Sequence, residues 1–235
     1  MKKLLKISLI TLTTLLLLSA GTVIIYRYIP VPVTPLMLIR YFSDGAPINY
    51  EWTPLEKINP DLALAVISSE DNLFMEHNGF DFKAIEQARR EAEAGIRFRG
   101  ASTISQQTAK NLFLWPGRSW VRKGLEAYFT VLMELFWDKK HIMEAYLNCI
   151  EMGDGIYGAK AVAKHHFNTT PDKLTRNQCA LIAATLPNPR RYNSAKPSKY
   201  MRKREQEILK IMKNIGRIDF EKSENSKKKT SAKKR

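Results

Sequence analysis

Two adjacent carboxylates, Glu70 and Asp71, close an apolar run from Leu62 to Ile67, in the stretch Ser68-Ser69-Glu70-Asp71-Asn72-Leu73-Phe74. A carboxylate delivered by a buried helix to the edge of a cleft can serve as a general base, and apolar surroundings that disfavour its charged form would strengthen it. The same residues also fit a solvated helix end with ordinary surface acids. A second chemical stretch is Gly100-Ala101-Ser102-Thr103-Ile104-Ser105-Gln106-Gln107-Thr108-Ala109-Lys110-Asn111. Its density of amide and hydroxyl groups suits hydrogen bonding to a sugar or a phosphate. Gln107, Lys110 and Asn111 share one helical face by spacing, although any amphipathic helix has a polar face. A third cluster holds Arg118, Arg122, Lys123 and Glu126. Spacing alone makes the last three a surface ion-pair set of little energetic weight.

The elements that must position these groups announce themselves at their ends. Asn59 can cap a helix with Pro60 at its first position, so a buried helix brings Glu70 to its own terminus. Thr103 with Gln106 fits a capping box, as does Thr175 with Gln178. Ser119, Asp138 and Ser198 are further cap candidates, the last opening a basic amphipathic helix to about Asn214. Residues 82–98 read as helix with a basic end at Arg89, Arg90, Arg97 and Arg99. Val121, Leu125, Tyr128, Phe129, Leu132, Leu135 and Phe136 repeat at helical spacing and predict a wide core stripe. Glu151-Met152-Gly153-Asp154-Gly155-Ile156-Tyr157-Gly158 reads as a loop, serving close backbone approach to a ligand or a plain helix connection. No hairpin dipeptide stands between alternating runs, so the fold class expected is mainly α.

Ahead of this domain, Ile7 to Tyr26 carry no charge. Twenty such residues span roughly 30 Å as a helix, the thickness of a bilayer core. Lys2, Lys3 and Lys6 precede the run, which predicts a cytoplasmic N-terminus (1–6), a single transmembrane helix (7–26) and everything later on the outer side. A cleaved signal peptide is the rival, with Leu18-Ser19-Ala20 a poor cleavage site. Residues 27–50 carry Pro30, Pro32, Pro35 and Pro47 and read as a membrane-proximal stalk without steady period. Its Leu36, Met37, Leu38, Ile39, Tyr41 and Phe42 need packing or lipid. A catalytic unit over 51–215 and a basic, disordered tail over 216–235 complete the expected organisation.

A net charge of +15 and a pI near 9.8 call for an anionic partner. Nucleic acid, an anionic membrane face and a phosphate-bearing substrate all qualify by charge, and the outward placement argues against nucleic acid. Cys149 and Cys179 form neither a disulfide framework nor a metal cluster; they fit two small buried residues, with a bridge open outside the cytoplasm. No phosphate-binding glycine loop, HExxH or zinc spacing occurs.

Taken in order, Glu70-Asp71-x-x-Phe74-x-x-His77-x-Gly79-x-Asp81, Gly100-Ala101-Ser102-Thr103-Ile104-Ser105-Gln106-Gln107-x-x-Lys110-Asn111-Leu112, Arg122-Lys123-x-x-Glu126, Tyr146-Leu147-Asn148 and Gly153-x-Gly155-x-Tyr157-Gly158 resemble the peptidoglycan glycosyltransferases of family 51. The resemblance covers about residues 50 to 215. With one anchor helix and no transpeptidase domain, it points to the monofunctional branch. It implies a lysozyme-like, two-lobed helical domain at the inner (plasma) membrane, with its catalytic domain periplasmic. The implied substrates are lipid II and the growing lipid-linked glycan, with inversion at the anomeric carbon.

Carried over by motif, Glu70 is the base and Glu126 the second catalytic carboxylate, holding cations in order. Lys110, Arg118, Arg122 and Lys123 would meet the pyrophosphate, with room for a divalent cation, Mg or Mn. Asp71, Phe74, His77, Ser102, Thr103, Gln106, Gln107 and Asn111 complete the substrate-binding set, and membrane phospholipids and other wall-synthesis proteins are the expected partners. Lys160 and His166 depart from the family pattern. A hydrolase cutting the same polymer and a non-catalytic scaffold binding anionic lipid are the competing readings. The cation cluster argues against the first, and the whole motif set against the second.

Overall fold

The computed structural model describes residues 2–96 and 100–221. Arg97, Arg99 and the expected tail beyond Glu221 lie outside the described residues. In chain order the elements are α1 (Lys2–Tyr26), α2 (Pro35–Asp44), β1 (Asn49–Tyr50), α3 (Pro60–Glu70), α4 (Phe82–Glu93), α5 (Ile104–Phe113), α6 (Trp120–Phe136), α7 (Lys139–Cys149), β2 (Glu151–Gly153), β3 (Ile156–Tyr157), α8 (Gly158–Phe167), α9 (Arg176–Thr185) and α10 (Lys199–Ile215). The mainly α class expected from sequence is the class found, behind one N-terminal apolar helix.

The expected caps form. Asn59 Oδ1 accepts from the Asp61 amide at 2.9 Å, and Pro60 opens α3. Reciprocal capping boxes start α5 at Thr103–Gln106 and α9 at Thr175–Gln178. Ser119, Asp138 and Ser198 cap α6, α7 and α10. Residues Leu62 to Ser69 of α3 are all buried, so this helix is apolar nearly all round and lies at the centre, packed on α9 and α10. The core continues through α5, α7 and α8 with Ile104, Ala109, Ile142, Tyr146, Val162 and Ile182. Glu70 therefore ends a helix that the core encloses along nearly its whole length.

Three expectations need correction. Residues 27–50 are not a periodless stalk: Thr34 caps α2 with Pro35 in its first turn, where a missing amide hydrogen costs nothing. The glycine loop is a hairpin, β2 and β3 pairing antiparallel across Asp154-Gly155, with β1 added in parallel to give the order β1-β3-β2. Gly155, at φ 66°, takes the left-handed turn position. The predicted core stripe of α6 holds only in part: Phe129, Leu132 and Phe136 pack against the core, half-buried, but the stripe's edges face outward. Val121 and Leu135 are 72% and 70% exposed, whereas Arg122, Glu126, Thr130 and Met133 are buried. That outer apolar face runs beside α1, itself exposed and apolar, with the Ser19 and Tyr128 hydroxyls 2.7 Å apart.

The anchor helix is docked rather than merely attached. Trp137 Nε1 donates to the Val23 carbonyl at 2.8 Å, His141 Nε2 to that of Tyr26 at 3.0 Å, and Arg27 reaches the Phe136 carbonyl and Asp138. Cys149 and Cys179 are buried and free, and burial pushes each thiol up to about 12. Lys160 pairs with Glu51, and His166 Nδ1 meets the Ser194 hydroxyl at 2.7 Å.

Asn148 locks the hairpin side, taking the Thr53 amide on Oδ1 and donating Nδ2 to the Thr53 and Glu144 carbonyls. Beside it Gly158 sits at φ 80°, where a Cβ would lie 2.3 Å from the Asn148 carbonyl oxygen. Gly158→Ala is expected to destabilise by about 2 kcal/mol or more, through backbone strain and backbone overlap. The melting midpoint in calorimetry should fall by roughly 4–8 °C.

Candidate active site

Glu70 stands at the last position of α3, half-buried, and borders two cavities. The apolar enclosure expected around it is absent, because its two oxygens have polar partners. Ser69 Oγ donates to Oε1 at 3.1 Å and Gln107 Nε2 to Oε2 at 3.0 Å. The Gln107 amide is oriented in turn by Tyr146, whose hydroxyl donates to Oε1 at 3.1 Å. Tyr146 is almost wholly buried, and that desolvation, with the charges of Glu70 and Asp71, drives its pKa well up. It stays a donor, so Gln107 must turn its NH2 towards Glu70. The carboxylate is thus held in place as an acceptor with lone pairs left for an incoming hydroxyl.

Asp71 does different work. It is buried, and its carboxylate accepts from His77 Nε2 at 2.9 and 3.0 Å and from the Ile104 amide at 3.0 Å. His77 Nδ1 accepts the Gly79 amide, which fixes the hydrogen on Nε2. Asp71 therefore ties the loop after α3 to the first turn of α5, where an anion suits the exposed amides. Phe74 is fully buried, with the Lys139 ammonium 4.5 Å from its ring centre. Asp71 touches one edge of a Glu70 cavity, but Phe74 and His77 are framework rather than cavity wall.

Thr103 and Gln106 likewise spend their side chains on the α5 capping box, and the Thr103 hydroxyl also donates to the Gly79 carbonyl at 2.6 Å. Thr103 borders the cavity that also holds Asp71, while Ser102 is exposed and lines both cavities.

Past Gln107 the wall changes character. A cleft of about 420 Å³ is lined by Gln107, Lys110, Asn111, Arg118 and Arg122, with Arg40, Glu151 and Arg190 at its other end. Lys110 has no ion pair among the described residues. Burial lowers its pKa, Glu126 opposes that shift, and Arg122 and Lys123 add to it. Arg118 sits exposed on the turn between α5 and α6. Arg122 Nη1 pairs with Glu126 Oε2 at 2.9 Å, and Lys123 meets Oε1 at 2.5 Å. Glu126 is only 3% exposed. The Arg122 Nε hydrogen is buried without a partner, and an orphaned donor costs about 1–3 kcal/mol until an acceptor arrives. Lys110, Arg118 and Arg122 on one cleft wall, with a free guanidinium hydrogen on Arg122, suit a multiply charged oxyanion.

A divalent cation at the pyrophosphate would reach Glu126 only by displacing one of the cations paired with it. Both Glu126 oxygens are engaged by Arg122 and Lys123, and no cluster of three or more ligating side chains occurs among the described residues. Lys123 approaches Glu126 from outside the cleft lining.

Several wall residues carry no signal in their own stretch of sequence. Arg40 enters the cleft from α2, Glu151 from β2, and Arg190 from the chain after α9. Tyr200, Lys203 and Arg204 enter the first Glu70 cavity from α10. Chain topology alone brings them there.

Positions 38–213 match the family described as Transglycosylase. The chain is 59% identical over 219 residues to a biosynthetic peptidoglycan transglycosylase of Bacteroides thetaiotaomicron, covering 91% of this chain and 88% of that one. A protein of the same description from Caulobacter vibrioides is 54% identical over 85% and 88% of the two chains. One from Bdellovibrio bacteriovorus is 52% identical over 81% and 78%.

Proposed function

We propose, from the premise that the chain belongs to the peptidoglycan transglycosylase family, that it polymerises lipid II, transferring the growing lipid-linked glycan to the 4-hydroxyl of an incoming lipid II with inversion and release of polyprenyl diphosphate. The observation that carries this reading is Gln107. One side of it holds Glu70 and the other lines the cation cleft, so proton acceptor and oxyanion site share a wall.

The chemistry needs both. A sugar hydroxyl is too weak an acid to ionise beforehand, so its proton leaves as the new bond forms, and Glu70 is placed to take it. The departing pyrophosphate gains charge as the anomeric bond breaks. Lys110, Arg118 and Arg122 stand ready for it, and fixed cations need no reorganisation at that moment. A unit charge about 4 Å from a cation gains roughly 4 kcal/mol at an effective dielectric constant near 20. Glu126 holds Arg122 and Lys123 in register and, enclosed as it is, has no access to a leaving oxygen. No step here runs through a metal ion.

Position follows from the same reading. α1 is one helix long and apolar enough to cross a membrane, with a mean hydropathy of 2.1. Its docking on α6 and α7 favours retention over cleavage. We assign a single-pass inner-membrane protein with a cytoplasmic N-terminus and a periplasmic catalytic domain, where both substrates are held by their tails. Membrane phospholipids then flank α1, and other wall-synthesis proteins are neighbours.

The test is polymer formation from purified lipid II in detergent by the full chain. Strand growth supports the proposal. Shortening of preformed strands with no growth overturns it in favour of hydrolysis. The pH profile gives a further expectation. Lys110 must be charged to act, and its pKa is displaced downward, so kcat should fall on the alkaline side below 10.5, the ordinary lysine value. Lys110→Arg should move that limb upward, because arginine keeps its charge.

A further inference from the structure

The two oxygens of Glu70 differ in what stands behind their partners. Oε2 accepts from Gln107 Nε2 at 3.0 Å, and Oε1 from the Ser69 hydroxyl at 3.1 Å. A hydroxyl changes from donor to acceptor by rotating about one bond. A carboxamide changes only by inverting end for end, which exchanges its oxygen with its NH2.

Gln107 is held against that inversion from both ends. Its Oε1 takes the Tyr146 hydrogen at 3.1 Å, and its Nε2 also lies 3.5 Å from the Ser102 carbonyl. Tyr146 is 1% exposed, and its hydroxyl makes no other hydrogen bond among the described residues. Inversion would turn an NH2 towards Tyr146 and leave its hydrogen buried without an acceptor, the costly way to lose a hydrogen bond. Ser69 carries no such lock. Its Oγ bonds only Glu70 Oε1 among the described residues, and it borders both cavities beside Glu70.

Protonation separates the two oxygens. A carboxylate only accepts, whereas the neutral acid has one O–H to donate. On Oε2 the new hydrogen would share its oxygen with a donor that cannot turn away. On Oε1 it can be given to Ser69, once that hydroxyl swings its own hydrogen towards the cavity. We propose that Tyr146 is a positioning residue which, through Gln107, keeps Oε2 an acceptor and reserves Oε1 to take the proton, with Ser69 as its receiver. The inference rests on the polymerase reading above. In the transfer step the acceptor's O–H bond breaks, and its electron pair forms the new bond to the anomeric carbon. The bond from that carbon to pyrophosphate breaks with its pair on the leaving oxygen, and the proton ends on Glu70 Oε1. Its later release to water restores the base.

The experiment uses the full chain and initial rates of lipid II polymerisation over substrate concentration and pH, with melting midpoints to verify folding. Tyr146→Phe removes one hydroxyl and frees the amide to invert when Glu70 is protonated, which favours the protonated form. The acidic limb of kcat against pH should therefore move up by about one unit, about tenfold in the ratio of the two forms, with KM within about twofold. In a Gln107→Ala background Tyr146→Phe should add nothing, whereas a merely structural tyrosine would act equally in both. Ser69→Ala should lower kcat about three- to tenfold at unchanged KM. The 13C shift of the Glu70 carboxyl carbon, assigned with Glu70→Gln, follows the same titration without turnover, so the cycle stays readable where Gln107→Ala is slow. A limb and titration that Tyr146→Phe leaves in place, or moves equally in both backgrounds, overturn the positioning role. Ser69→Ala at the wild-type kcat overturns the assignment of Oε1. Wild-type protein that makes no polymer, while its carboxyl titration responds to Tyr146→Phe as expected, overturns the polymerase reading alone.

Discussion

Glu70→Gln should lower the initial rate of lipid II polymerisation by about 10²–10⁴-fold, the range expected when a general base is lost. That corresponds to roughly 2.7–5.4 kcal/mol of barrier. The local bonds make the result interpretable. The introduced amide oxygen can accept from Gln107 Nε2, and the amide nitrogen can donate to the Ser69 hydroxyl oxygen, so the two existing contacts survive with their roles reassigned. Stability should therefore stay within about 0.5 kcal/mol. A folded variant that polymerises at the wild-type rate would remove Glu70 from the reaction and the proposed mechanism with it. Circular dichroism on the assayed sample separates this outcome from simple unfolding.

Lys110→Met should cost about 10²–10³-fold in kcat, the loss typical of removing one fixed electrostatic donor to a developing oxyanion. Its effect on stability has the opposite sign. Burial depresses the folded-state pKa of Lys110 below its unfolded value, so the charged lysine destabilises the folded protein wherever it is protonated. This penalty is present below the folded pKa and disappears as the pH rises to the unfolded value. Methionine keeps the bulk without the charge, so the melting midpoint at pH 7 should hold or rise. A variant that lost activity and melted early would mark Lys110 as a packing residue instead.

Much of this arrangement was readable from local chemistry. Asn59 with Pro60, and Thr103 with Gln106, signal helix starts through bonds made within four residues, which is why Glu70 and Lys110 could be placed on element ends and faces beforehand. The face of α6 could not be read the same way. Its periodicity defines an apolar stripe but not the medium that stripe meets: Phe129, Leu132 and Phe136 reach the core, while Val121 and Leu135 face outward and Arg122 and Glu126 turn in. Asp154-Gly155 went unread as a hairpin because its strands are too short to alternate. Thr103 and Gln106 looked like sugar ligands, yet the cap that revealed the helix consumes their side chains. Tyr200, Lys203 and Arg204 reach Glu70 only because α10 folds back onto α3, a long-range placement with no local trace.

The seating of α1 through Val23, Tyr26 and Arg27 sets the enzyme's working height. With that helix in a bilayer, as proposed above, the cleft cannot swing out on a tether away from the membrane surface. Encounters become two-dimensional, between a fixed mouth and head groups sliding in one leaflet. Under the proposed reaction the polymer, rather than the catalyst, then has to travel, and each linkage made would push the older strand away from the lipid surface.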